Sequence, residues 1–136
     1  MSRKQSRELA FRLLFALAFD NGGNNEVLSE ASLDSALLGE KRPDDVEMSY
    51  IKKLVNAVAD NVGEIDRVIK EKSKGFIFDR IFRTDLTALR MGFAEIKFMD
   101  GTTPPVVVVN EVVEIAKKYG TEKSGGFVNG ILATAI

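Results

Sequence analysis

Thr102-Thr103-Pro104-Pro105-Val106-Val107-Val108-Val109 is the stretch on which the fold class turns. Four consecutive β-branched residues after a proline pair have the composition of a strand. A strand here would stand alone, because every other apolar pattern in the chain repeats at helical spacing. Pro105 suits the first turn of a helix, where a missing N–H costs nothing, and Asn110 to Tyr119 is strongly helical. The stretch therefore opens a helix over 105–119, with Val108, Val112, Ile115, Ala116 and Tyr119 on its buried stripe and Gly120 closing it.

Outward from that helix the same spacing recurs. Ser124 is the expected N-cap of a last helix whose Val128, Ile131, Leu132 and Ala135 share a face. Residues 79–99 form another, with Ile81, Phe82, Leu86, Leu89, Phe93 and Ile96 turned inward. Asp44, Asp45 and Glu47 suit a helix N-terminus, and Met48, Ile51, Leu54, Val55, Val58 and Val62 form its stripe. Gly63 ends or bends it, and a shorter turn around Ile65, Val68 and Ile69 runs to the break at Lys72–Gly75, after which Phe76-Ile77-Phe78 adds aromatic bulk. Nearer the N-terminus, residues 26–39 show a pattern around Val27, Leu28, Ala31, Leu33, Leu37 and Leu38. Residues 3–20 carry Ala10, Leu13, Leu14, Leu17 and Ala18 on one face and stop at Asn21-Gly22-Gly23-Asn24-Asn25. The expectation is an all-α fold: a compact bundle of about seven helices, one domain over residues 1–136.

Composition narrows the chemistry. A chain of 136 residues that is 45% hydrophobic can bury a core without staples. Zero cysteines exclude disulfides, thiolate catalysis and Cys-held zinc, and zero histidines remove the commonest general base and metal ligand. No apolar run reaches the ~20 residues of a membrane span, and no signal-peptide pattern is present, so the expected location is the cytoplasm. Net charge is −1, but residues 1–20 carry +2 and residues 21–50 carry −5. Local potential of that kind attracts phosphate where net charge would not.

Gly120 to Gly126 has the glycine spacing of a phosphate loop, but Gly126-Phe127 stands where Lys and Ser/Thr are required, and a helix precedes it instead of a strand. It reads as a turn between helices. Glu111 and Glu114 share a face, yet Glu114 lies four residues before Lys118, the spacing of an ordinary ion pair. The first helix interleaves Arg3, Lys4, Arg7 and Arg12 with Phe11, Phe15 and Phe19. Such a face can hold phosphates and stack bases. Periodicity alone favours core for the phenylalanines.

The run Val109-Asn110-Glu111-Val112-Val113-Glu114-Ile115-Ala116-Lys117-Lys118-Tyr119-Gly120, followed by Ser124-x-x-Phe127-Val128-Asn129-Gly130-Ile131-Leu132, closely resembles the NusB transcription antitermination family. Asp79-Arg80 and Leu89-Arg90-x-x-x-x-Glu95 look like the central signature of that family, and Arg7-Glu8-x-Ala10-x-x-x-Leu14 like its opening helix. The resemblance implies two small helical bundles packed together. It also implies a non-catalytic adapter without cofactor or metal, which binds boxA-type single-stranded nascent RNA, notably of ribosomal RNA operons. The implied protein partners are NusE, a small-subunit ribosomal protein, and the transcription elongation complex.

By position, Arg3, Lys4 and Arg7 match the basic opening, and Lys117, Ser124, Phe127 and Asn129 the RNA-facing block; Arg12, Phe15 and Lys118 complete the expected RNA set. Asp85 occupies a position often acidic and near the partner protein, and Arg90 and Glu95 join it as expected partner residues. Those last two lie about 140° apart on a helix, so one of them is expected to tie helices together by an ion pair. Gln5 and Ser6 stand where many members carry arginines, and Lys123 where others carry an acid. The alternative is the same fold used as a protein-protein or homodimerisation module without RNA, and salt-sensitive RNA binding separates the two. A small enzyme is a third reading, disfavoured by the missing His and Cys.

Overall fold

The computed structural model describes residues 1–17 and 29–136. Among them are six α-helices: α1 (Arg3–Phe15), α2 (Glu30–Leu37), α3 (Asp45–Lys72), α4 (Arg83–Lys97), α5 (Pro105–Tyr119) and α6 (Ser124–Leu132). Short 3-10 turns lie at Phe78–Arg80 and Ala133–Ala135, and no strand occurs among the described residues. The four valines are helical, as expected: Val108 and Val109 are buried, while Val106 and Val107 stay exposed. Ala18, Phe19, Val27, Leu28 and the expected stop at 21–25 lie outside the described residues.

Side-chain caps explain the starts of the first three helices. Ser2 and Gln5 form a reciprocal capping box at α1, and Ser29 and Asp44 accept the N–H groups of Ser32 and Glu47 at α2 and α3. Leu38 ends α2 at φ 53°, followed by Gly39 at 81°, so Leu38 points to solvent and not inward as its place in the apolar pattern suggested.

Two expected helices are one. α3 runs through Gly63 and kinks instead at Asn61 (φ −126°, ψ 16°), where Asn61 Nδ2 donates to the Ala57 carbonyl at 2.8 Å. This merger accounts for six helices where about seven were expected. A second correction concerns Phe82. The 3-10 turn at Phe78–Arg80 delays α4 to Arg83, so Phe82 sits ahead of the helix and is 62% exposed, while Ile81 is half-buried.

α4 occupies the middle of the molecule, in contact with α1, α3, α5 and α6, and α2 packs on α1. Its Ala88, Leu89, Met91, Phe93 and Ala94 are buried in a core shared by all six helices. Gly92 allows the closest approach: a Cβ there would come 2.6 Å from Leu132 Cδ1 of α6. This central position of α4 puts its charged residues either inside the molecule or at the rim of a groove.

Candidate nucleic-acid interface

Several residues expected on the surface are interior. Arg7 is 3% exposed and donates from Nε and Nη2 to the two Glu95 oxygens at 2.9 and 2.7 Å. Tyr50 Oη donates to Glu95 Oε1 at 2.7 Å, and burial together with the Glu95 charge pushes the Tyr50 phenol up. A buried charge needs such a partner. Arg7 is therefore corrected from a phosphate contact to a helix-to-helix tie, and Glu95 likewise from a partner contact. Arg90 is bidentate to Asp66 of α3 at 2.9 Å on both branches, which makes it a second tie between helices. Arg12 donates to the Ala36 carbonyl at 2.6 Å and to Tyr119 Oη at 3.0 Å, joining α1 to α2 and α5. Its guanidinium is mostly covered and offers little to RNA.

Arg3 retains partial exposure, but it is bidentate to Glu47 and lies 4.0 Å over the Tyr50 ring. Phe11 is core, its ring tilted against that of Tyr119 with centroids 5.0 Å apart. Phe15 is half-buried between Phe11 and the Arg83 guanidinium, at the start of α4. Ser124 is buried, and its Oγ accepts the Thr121 N–H at 2.9 Å; it shapes the α5–α6 turn and presents nothing outward. Ser124 is thus the first helical residue and not the N-cap, a shift of one position.

What the structure brings together is a groove of about 470 Å³ whose lining includes Phe76, Ile77, Phe82, Asp85, Lys123 and Phe127. Phe76 is 60% exposed and meets Phe127 edge-on, ring centroids 4.7 Å apart. Phe127 is only half-buried, which answers whether it belongs to the core or to a surface: one edge packs and the other faces the groove. Asp85, in the first turn of α4, is 5% exposed, and among the described residues its Oδ1 has no hydrogen-bond partner. The α4 N-terminus favours its charge. An unsatisfied buried acceptor nonetheless costs about 1–3 kcal/mol, which a donor entering the groove would relieve.

Cations flank this groove along the α5–α6 turn. Lys117 is exposed and pairs with Glu114 at 3.6 Å, which replaces the expected Glu114–Lys118 pair. Its aliphatic stem lies across α6 because position 125 is glycine; a Cβ there would be 2.8 Å from Lys117 Cγ. Lys118 instead reaches α1 and pairs with Glu8. Lys4 and Asn129 are exposed, and among the described residues Lys4 makes no ion pair. Phe76, Lys123 and Glu8 were not singled out as site residues. The aromatic cluster after the break at 72–75 is a signal that points to Phe76.

No helix among the described residues is long and apolar enough to cross a membrane. Among the same residues no group of three carboxylates is placed to hold a metal ion.

The sequence model of the NusB family matches residues 4–136. The transcription antitermination protein NusB of Agathobacter rectalis is 39% identical over 135 residues, covering 98% of each chain. A crystal structure of antitermination factors NusB and NusE in complex with dsRNA shares the fold with a TM-score of 0.79 at 31% identity, covering 98% of this chain and 94% of that one. T. maritima NusB gives 0.81 at 29% identity, covering 99% and 90%. Similarity at this level over nearly the whole length, on the same all-helical architecture, means that the chain belongs to the NusB family.

Proposed function

We propose that this protein is an RNA-binding adapter of transcription antitermination, acting as one unit over residues 1–136 in the cytoplasm. Its ligand is boxA-type single-stranded nascent RNA, notably that of ribosomal RNA operons, and it acts with NusE in the elongation complex. Membership of a non-catalytic family supports the adapter role. The observation that carries the RNA reading is the half-exposed Phe127 ring beside Phe76, in a groove that Lys123 and Arg80 also line. Aromatic rings accept unpaired bases by stacking, while lysines meet the backbone. A related complex holds double-stranded RNA; stacking on Phe127 requires an unpaired base, and that favours the single strand for this site.

The second reading, a protein-protein module without RNA, draws on the unsatisfied Asp85 and the apolar rim of the groove. One titration separates them. Labelled boxA-type RNA is expected to bind with strong salt dependence, more tightly when NusE is present. Binding of NusE with no RNA affinity at any salt concentration selects the second reading.

A further inference from the structure

The Lys118 ammonium, at the end of α5 nearest the proposed RNA surface, is held in the folded protein by Glu8 of α1. The two partners differ in freedom. Lys118 is 63% exposed on a long flexible stem, whereas the Glu8 side chain is 15% exposed. Glu8 also accepts the Tyr119 hydroxyl hydrogen at 2.6 Å and has the Arg12 guanidinium 3.7 Å away. Burial opposes its charge, but the hydrogen bonds from Lys118 and Tyr119 and the charge of Arg12 outweigh it. Glu8 is therefore a fixed anion. It presents to Lys118 what an RNA phosphate would present: negative charge on acceptor oxygens.

We propose that Glu8 is a built-in competitor for RNA phosphate, which occupies Lys118 and sets RNA affinity below what the exposed lysines would otherwise give. The inference rests on the RNA-binding reading above. Lys118 is the exchangeable partner of Glu8, because Arg12 is committed to Ala36 and Tyr119 and Tyr119 belongs to the packed layer between α1 and α5. Glu114 does not act in the same way on Lys117: both side chains are mobile and exposed, and such a pair gives way at little cost.

The test is a double-mutant cycle on the full chain, titrated with single-stranded boxA-type RNA between about 50 and 200 mM salt. Glu8→Gln keeps the shape and the acceptor for Tyr119 while removing the charge. It is expected to tighten binding roughly three- to fivefold at low salt and to steepen the log–log salt slope by about 0.7, one further phosphate contact. Lys118→Ala should weaken the wild type by less than about twofold and should cancel the gain in the double variant. Glu64→Gln removes an exposed carboxylate from α3, paired with Arg67, and controls for net charge; it should change nothing. The inference falls if Glu8→Gln, folded at the temperature of the titration, binds like wild type, or if its gain persists without Lys118. It falls as well, whatever Glu8→Gln does to folding, if Lys118→Ala alone costs fivefold or more. If neither the wild type nor Glu8→Gln binds RNA at low salt, with or without NusE, the RNA reading fails and this inference fails with it.

Discussion

An arginine in a basic opening helix suggests a phosphate ligand, yet Arg7 uses both guanidinium branches on Glu95 and leaves almost nothing to solvent. Truncating one partner strands the other charge in the core, so Arg7→Ala should destabilise the fold by about 3–5 kcal/mol. RNA affinity should then fall only in proportion to the folded fraction, with no change in salt slope, as denaturant melts and titrations on one preparation will check. Phe127→Ala should behave in the opposite way. Its ring is half-buried on Phe76, so the melt should move little, while loss of base stacking should cost roughly 1–3 kcal/mol of RNA affinity. Unaltered affinity in the folded variant would remove Phe127 from the site. The Arg7–Glu95 contact was beyond local reading, because 88 positions separate the two residues and a place on a helix face does not name the partner across the core. Phe127 was legible only through the motif around it, since a lone phenylalanine looks the same in a core and on a stacking surface.

Helices were easier to read than their ends. The valine run resolved as helix because a strand would have lacked a partner, and α5 begins at Pro105 as expected. Phe82 and the Asn61 kink were missed for a common reason: a 3-10 turn and a side-chain-to-carbonyl bond alter the backbone without altering apolar spacing. Packing between elements also turns on single atoms. Leu132 is fully buried and cannot swing away from a methyl group at position 92, so Gly92→Ala should overpack the α4–α6 contact and cost about 1–3 kcal/mol in a denaturant melt. The α1–α5 link has a pH signature. Because the folded protein holds the Glu8 carboxyl below its ordinary value, the resulting stabilisation is fully present above the unfolded value of about 4.3 and is lost as pH falls through the folded one. The melting temperature of wild type should therefore drop more steeply with acidification below about pH 4.3 than that of Glu8→Gln. Parallel curves would show that the link does not contribute to stability.

Across the whole molecule, a net charge of −1 hides a division of labour between charges that hold helices together and charges left at the surface. Of the residues expected to face RNA, Lys4, Lys117 and Asn129 are exposed and Phe127 is half-exposed, whereas Arg7 and Ser124 are buried and Arg12 is mostly covered. Sequence placed these residues on the correct helices; their partners depended on tertiary packing. Among the described residues Asp85 is the one buried carboxylate with an oxygen that lacks a hydrogen-bond partner, and it lines the groove that Phe127 shares. If NusE supplies the missing donor, the unbound protein carries a cost that binding removes. Asp85→Asn keeps the shape and removes the charge, so the isolated protein should melt at the same temperature or higher. Its affinity for NusE should drop by about 1.5–3 kcal/mol, the worth of a hydrogen bond to a charged group. RNA titrations without NusE should retain the wild-type salt slope, because no lysine at the surface is altered. Calorimetry of NusE binding, run beside the RNA titration, reads both effects. A folded Asp85→Asn protein that binds NusE as tightly as wild type would take Asp85 off the partner surface and leave its unsatisfied oxygen as a feature of the fold alone.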